Sequence, residues 1–144
     1  MPLSIFEMAL RAQKSYNRLM EPVCRKWELT HNELDVLLFL ANNPGQDRAV
    51  DIVRGRGMSK GHVSLSLRSL EKRGLVARRE DGEDRRTARL TLTGGASQIA
   101  ADGQAAQRDF YNRIRDGVTP EESGVMWSVA QKMVDNIRKL EREL

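Results

Sequence analysis

The sequence predicts a mainly α-helical chain with one small β-hairpin wing: a winged helix-turn-helix flanked by long N- and C-terminal helices. Three observations point there. Apolar residues recur at helical spacing through most of the 144 residues. The period changes to that of strands only between Leu75 and Thr93. Capping and breaking residues cut the helical pattern into discrete segments. The length fits one domain over 1–144, with a winged-helix core at about 29–95 and flanking helices at about 3–27 and 95–144.

Ile5, Ala9, Ala12, Tyr16, Leu19 and Val23 form one apolar stripe on a first helix, which Pro22 is expected to interrupt or end. Thr30-His31-Asn32-Glu33 fits a capping box, with Leu29 and Leu34 at the positions of a hydrophobic staple. The helix that follows runs through Val36, Leu37, Leu38 and Leu40 until Asn43-Pro44-Gly45. A short helix is expected around Arg48–Arg54, with Ala49, Ile52 and Val53 inward, broken by Gly55 and Gly57. Ser59 caps a helix from Lys60 to about Arg73 whose buried stripe is Val63, Leu67 and Leu70, and Gly74 stands at its C-cap. Leu75–Arg79 and Thr87–Thr93 read as strands joined through Asp81-Gly82. Helix resumes from about Gly95 to Asp116, a pattern that Gly94, Gly95 and Gly103 weaken. A last helix opens with the capping box Thr119-Pro120-Glu121-Glu122 and carries Met126, Val129, Met133, Ile137, Leu140 and Leu144.

Composition excludes several classes. The longest apolar run, Val36–Ala41, is six residues, against about 20 for a membrane span. An acid at Glu7 precedes any signal-like stretch. Cys24 is the sole cysteine, so no internal disulfide forms and a reducing cytoplasm is the expected compartment. His31, His62 and Cys24 show no metal-ligand spacing. With no phosphate loop and no nucleophile elbow, neither a cofactor nor enzymatic activity is expected.

The net charge of +4 is not evenly spread. Residues 46–93 hold twelve Lys/Arg against seven Asp/Glu, and the rest of the chain holds twelve against thirteen. A localised basic block is the footprint of a nucleic-acid surface, although a solvated face of mixed charge has the same composition. In the helix 60–73, the side opposite the apolar stripe carries Lys60, Gly61, Ser64, Leu65 and Arg68. Such a helix fits a DNA major groove about 12 Å wide. Gly61 permits close backbone approach, Ser64 bonds bases or phosphates, and Leu65 offers apolar contact to a thymine methyl. Lys60 and Arg68 reach phosphate or guanine. His62 either packs at the helix start or joins the contacts, and Ser59 can cap and contact at once. At the hairpin tip, Asp84 stands beside Arg85 and Arg86 and can hold a guanidinium outward for a narrow minor groove. The bland alternative is a loop of self-paired charges.

Taken together, Leu29-Thr30, Asn43-Pro44-Gly45, Ser59-Lys60 with Val63-Ser64, and Leu70-Glu71-Lys72-Arg73-Gly74-Leu75-Val76 resemble the MarR family of winged helix-turn-helix transcriptional regulators. Asp84-Arg85-Arg86 followed by Leu90-Thr91-Leu92-Thr93 is similar to that family's wing signature. The resemblance implies a homodimer whose terminal dimerisation helices intertwine. Each winged helix then binds half of a palindromic double-stranded DNA site, with Arg86 in the flanking minor groove and Asp84 holding it. It also implies a repressor released by a small aromatic or phenolic effector, or by cysteine oxidation.

Two departures stand out. Ser64-Leu65 replaces the family's frequent Ser-Arg, and Val50–Gly57 is one residue longer than its usual pattern. Cys24, beside Arg25 and Lys26, could gain a lowered thiol pKa and a redox role, against the plainer reading of a small buried cysteine. By position alone Tyr16, Trp27 and His31 are candidate pocket residues, and the effector site is unknown. The competing class is a helical protein–protein adaptor using a winged helix without DNA. Against it, the face of helix 60–73 lacks the aromatic anchors of an interface.

Overall fold

A computed structural model describes residues 4–80 and 88–144. The elements run α1 Ile5–Trp27, α2 His31–Asn42, α3 Ala49–Arg56, α4 Lys60–Lys72, β1 Val76–Arg79, β2 Arg89–Leu92, a 3-10 turn Gly94–Ala96, α5 Ser97–Ile114 and α6 Pro120–Glu143. The chain divides into two compact units, Met1–Phe110 and Tyr111–Leu144.

Within the first unit, α2 packs against α1, α3, α4 and β2. Leu34, Leu37, Ile52, Leu67 and Leu70 are at most 1% exposed. Each contributes about 1.5–3 kcal/mol by leaving water. The capping box at α2 is complete: Glu33 N–H donates to Thr30 Oγ1 at 3.1 Å, and Thr30 N–H donates to Glu33 Oε1 at 3.0 Å. β1 and β2 pair antiparallel in the register Val76↔Leu92 through Arg79↔Arg89. Leu90 N–H also donates to the Asp47 carbonyl at 2.7 Å, fastening the hairpin to the α2–α3 loop.

Three expectations are corrected. Pro22 neither ends nor interrupts α1, which continues to Trp27. Pro22 and Arg18 are both exposed residues, so the helical bond that Pro22 cannot donate is missing on the outer side of α1, while Met20, Val23 and Cys24 remain buried. Gly55 lies inside α3 rather than breaking it. A Cβ there would stand 2.4 Å from Phe39 Cε2, so Gly55 is a close-packing site. Gly57, at φ +71°, is the residue that stops α3. Gly103 is likewise a contact rather than a weakness in α5, since its Cβ would lie 2.7 Å from Leu38 Cδ2. The long α2–α4 segment resolves into a full two-turn α3 and a three-residue turn, Gly57-Met58-Ser59.

Both terminal stripes form as helices: the α1 stripe runs from exposed Ile5 to buried Val23, and the α6 stripe residues are exposed. Ile5, Phe6, Met8 and Leu10 on α1 are exposed, as are Met126, Val129, Met133, Ile137, Leu140 and Leu144 of the α6 stripe.

Candidate nucleic-acid interface

Helix α4 is the second helix of the helix-turn-helix, and its two faces differ sharply. Val63, Ser66, Leu67 and Leu70 are buried, fixing its rotation about its own axis. Ser59, Lys60, Gly61, His62, Ser64, Leu65 and Arg68 are all exposed. Ser59 Oγ accepts the His62 N–H at 3.1 Å, so Ser59 is the N-cap and the His62 backbone belongs to the first turn. That turn holds no acid, and Lys60 adds a cation to the positive end of the helix dipole. Leu65 is 64% exposed in the midst of this polar face. Nothing lies within 4 Å of a Cβ built on Gly61.

The basic block of the sequence divides into structural and outward-facing charges. Arg56 pairs with Asp35 at 3.1 Å, Arg78 with Glu71 at 2.8 Å, and Arg89 with Asp47 at 3.0 Å. Arg73 donates to the carbonyls of Trp27 and Glu28, both at 2.8 Å. These four hold elements together. Lys60 and Arg68 are left exposed on α4, and so are Lys72, Arg54 and Arg79. The last three were not singled out from the sequence. Lys72 had a detectable signal, since it follows Arg68 at i+4 on the same face. Arg54 and Arg79 are separated from the paired arginines only by tertiary contacts. The wing residues Asp84, Arg85 and Arg86 lie outside the described residues.

The residues weighed for ligand or redox chemistry are engaged internally. The Cys24 thiol is pushed up to about 11 by burial, with Glu21 and Asp35 adding negative charge. The adjacent Arg25 and Lys26 side chains do not lower it, and Lys26 Nζ turns instead to Asp102 Oδ2 at 2.7 Å. His31 Nε2 lies 2.7 Å from Glu21 Oε2, and its Nδ1 lies 3.7 Å from Cys24 Sγ. Tyr16 Oη accepts from Gln107 Nε2 at 2.9 Å, and its ring meets Phe110 edge-on. Trp27 Nε1–H donates to Asp102 Oδ2 at 2.9 Å. Among the described residues no group of His, Cys, Asp and Glu could hold a metal ion. No helix among them is long and apolar enough to cross a membrane.

Residues 27–87 match the family model described as MarR family. Among solved structures, a MarR-family transcriptional regulator from Silicibacter pomeroyi superposes with a TM-score of 0.79 at 22% identity, covering 91% of this chain and 88% of that one. The MepR–DNA complex of S. aureus gives 0.76 at 17% identity, covering 94% and 97%. Bordetella bronchiseptica BpsR, whose DNA binding is regulated by 6-hydroxynicotinic acid, gives 0.69 at 21% identity, covering 90% and 98%. The sequence of the winged-helix core and the fold of about nine-tenths of the chain both match the MarR family, which bears out the resemblance read from the motifs.

Proposed function

We propose that this protein is a cytoplasmic transcriptional regulator that binds double-stranded DNA sequence-specifically as a homodimer, and that it represses from a palindromic operator. The observation that carries this reading is the face of α4: small, polar and cationic at its N-terminal end, and rotationally fixed by a buried stripe. Placed in the major groove, Lys60, Gly61, Ser64, Leu65 and Arg68 meet base edges or phosphates, with Ser59 and His62 at the entry. Arg86 enters the flanking minor groove, with Arg85 beside it and Asp84 orienting it. The S. aureus MepR–DNA complex, of the same fold, supports such a placement by analogy.

Homodimerisation is supported by the uncovered stripes. Exposed Phe6, Met126, Trp127, Ile137 and their neighbours form apolar surface of the kind that a second copy covers. The two units then act as one domain, with the terminal helices as the dimerisation element. The reading extends to release by a small aromatic effector, a class to which the regulator of BpsR belongs.

The test is fluorescence anisotropy of a labelled duplex from upstream of this protein's own gene, against a scrambled duplex, at two salt concentrations. Tight, specific and salt-sensitive binding is expected. Equal affinity for every sequence, including those from a random-sequence selection, refutes the specific regulator. Absence of binding at low salt favours a protein–protein adaptor.

A further inference from the structure

The corner between α1 and α2 is joined to both α5 and α4. On one side, Asp102 of α5 gathers three donors: Lys26 Nζ at 2.7 Å and Trp27 Nε1 at 2.9 Å on Oδ2, and Gln98 Nε2 at 2.8 Å on Oδ1. Those bonds hold the Asp102 carboxyl at about 2, well below its ordinary value. On the other side, the Arg73 guanidinium, at the C-cap of α4, spans the carbonyls of Trp27 and Glu28. A second tether lies one turn back, where Ser69 Oγ donates to Glu33 Oε2 at 2.8 Å, inside the capping box that opens α2. Trp27 therefore sits in series: its side chain is fixed by α5, and its carbonyl fixes the end of α4.

We propose that Asp102 and Arg73 are positioning residues for the DNA-reading face, setting the angle of α4 through Trp27. The inference rests on the regulator reading given above. Neither residue lies on the exposed face of α4, and neither is asked to touch DNA. The lever arm explains why such a tether matters. Thirteen residues of helix span about 20 Å, so a tilt of about 5° at the C-terminal end moves the N-terminal end by roughly 1.7 Å. That displacement breaks hydrogen bonds to base edges but leaves a cationic helix still able to attract phosphate. Specific binding then suffers while non-specific binding does not.

The test uses the full-length protein with four variants: Asp102→Ala, Trp27→Phe, Arg73→Lys and the double variant Asp102→Ala/Arg73→Lys. Arg73→Lys keeps the charge but loses the planar fork that reaches two carbonyls. Trp27→Phe removes the indole N–H and leaves the carbonyls in place. Each single variant is expected to lower affinity for the preferred duplex about tenfold, to leave affinity for the scrambled duplex within twofold, and to retain native helix content. Because the contacts act in series, the double variant is expected to be no worse than the weaker single variant. Multiplied penalties would show independent contacts and overturn the relay. A parallel fall on both duplexes would mark a merely structural role, and unchanged affinities would remove the residues from the mechanism. A wild-type protein without any duplex preference would instead overturn the regulator reading itself.

Discussion

Gly61→Ala should raise the stability of the protein and lower its affinity for DNA. Gly61 is the second residue of α4, and its φ is not among the positive values, so alanine enters without backbone strain. Nothing lies within 4 Å of the added Cβ, so no internal clash opposes it. Alanine loses less backbone entropy on folding, worth about 0.5 kcal/mol near a helix end against 0.5–1 in the interior. For a chain of this size that raises Tm by roughly 1–2 °C. The methyl group instead adds bulk to the exposed face of α4, which in the proposed complex approaches the base edges closely. Loss of one well-placed base contact costs about 1–3 kcal/mol, so affinity for the preferred duplex should fall by about tenfold or more. Thermal unfolding at matched protein concentration, with anisotropy on the same samples, measures both signs. A lower Tm would reveal an internal reason for the glycine. A higher Tm with unchanged affinity would refute the placement of this face against DNA.

Other consequences are as direct. Gly55→Ala should do the opposite to stability: the 2.4 Å approach to Phe39 Cε2 outweighs the gain in helix propensity, and a net loss of about 1 kcal/mol lowers Tm by roughly 2–4 °C. A rise in Tm would show that the Phe39 ring yields freely. Lys60→Gln should reduce the slope of log affinity against log salt by about 1.8, because a dimer loses two phosphate contacts at about 0.9 each. An unchanged slope would place Lys60 off the backbone. Cys24, with its thiol near 11, is about one part in a thousand ionised at pH 8 and should resist alkylation until the protein unfolds. Its folded value lies above its unfolded one, so the associated stability is complete below about pH 9 and is lost as pH rises through about 11. Cys24→Ala should show a smaller loss over that window, and an equal loss in the two proteins would contradict the assignment.

The element order was legible because its signals are local. Thr30 with Glu33, Thr119 with Glu122, and Ser59 are capping chemistry confined to four residues, and each caps as read. The Val63–Leu67–Leu70 stripe likewise named the buried side of α4, and with it the exposed face opposite. What escaped the sequence depends on partners distant in the chain. Gly55 and Gly103 look like helix breakers until Phe39 and Leu38 are seen against them. Pro22 is tolerated because of which side of α1 it falls on. The fate of the arginines was the largest unread quantity: Arg56, Arg73, Arg78 and Arg89 counted toward a basic block, yet their partners lie 7 to 46 residues away. Charge counting marks residues 46–93 as the basic block, whereas only tertiary contacts separate the cations that hold the fold from those that face outward.

The most direct measurement is a crystal structure of the protein on its preferred duplex. The expected arrangement has one α4 in the major groove of each half-site, the two lying about 34 Å apart along the duplex. Lys60, Gly61, Ser64, Leu65 and Arg68 should then face base edges and phosphates, and Arg56, Arg73, Arg78 and Arg89 should keep their internal partners. A complex in which α4 faces away from the duplex, or in which those arginines abandon their partners to hold the DNA, would contradict it.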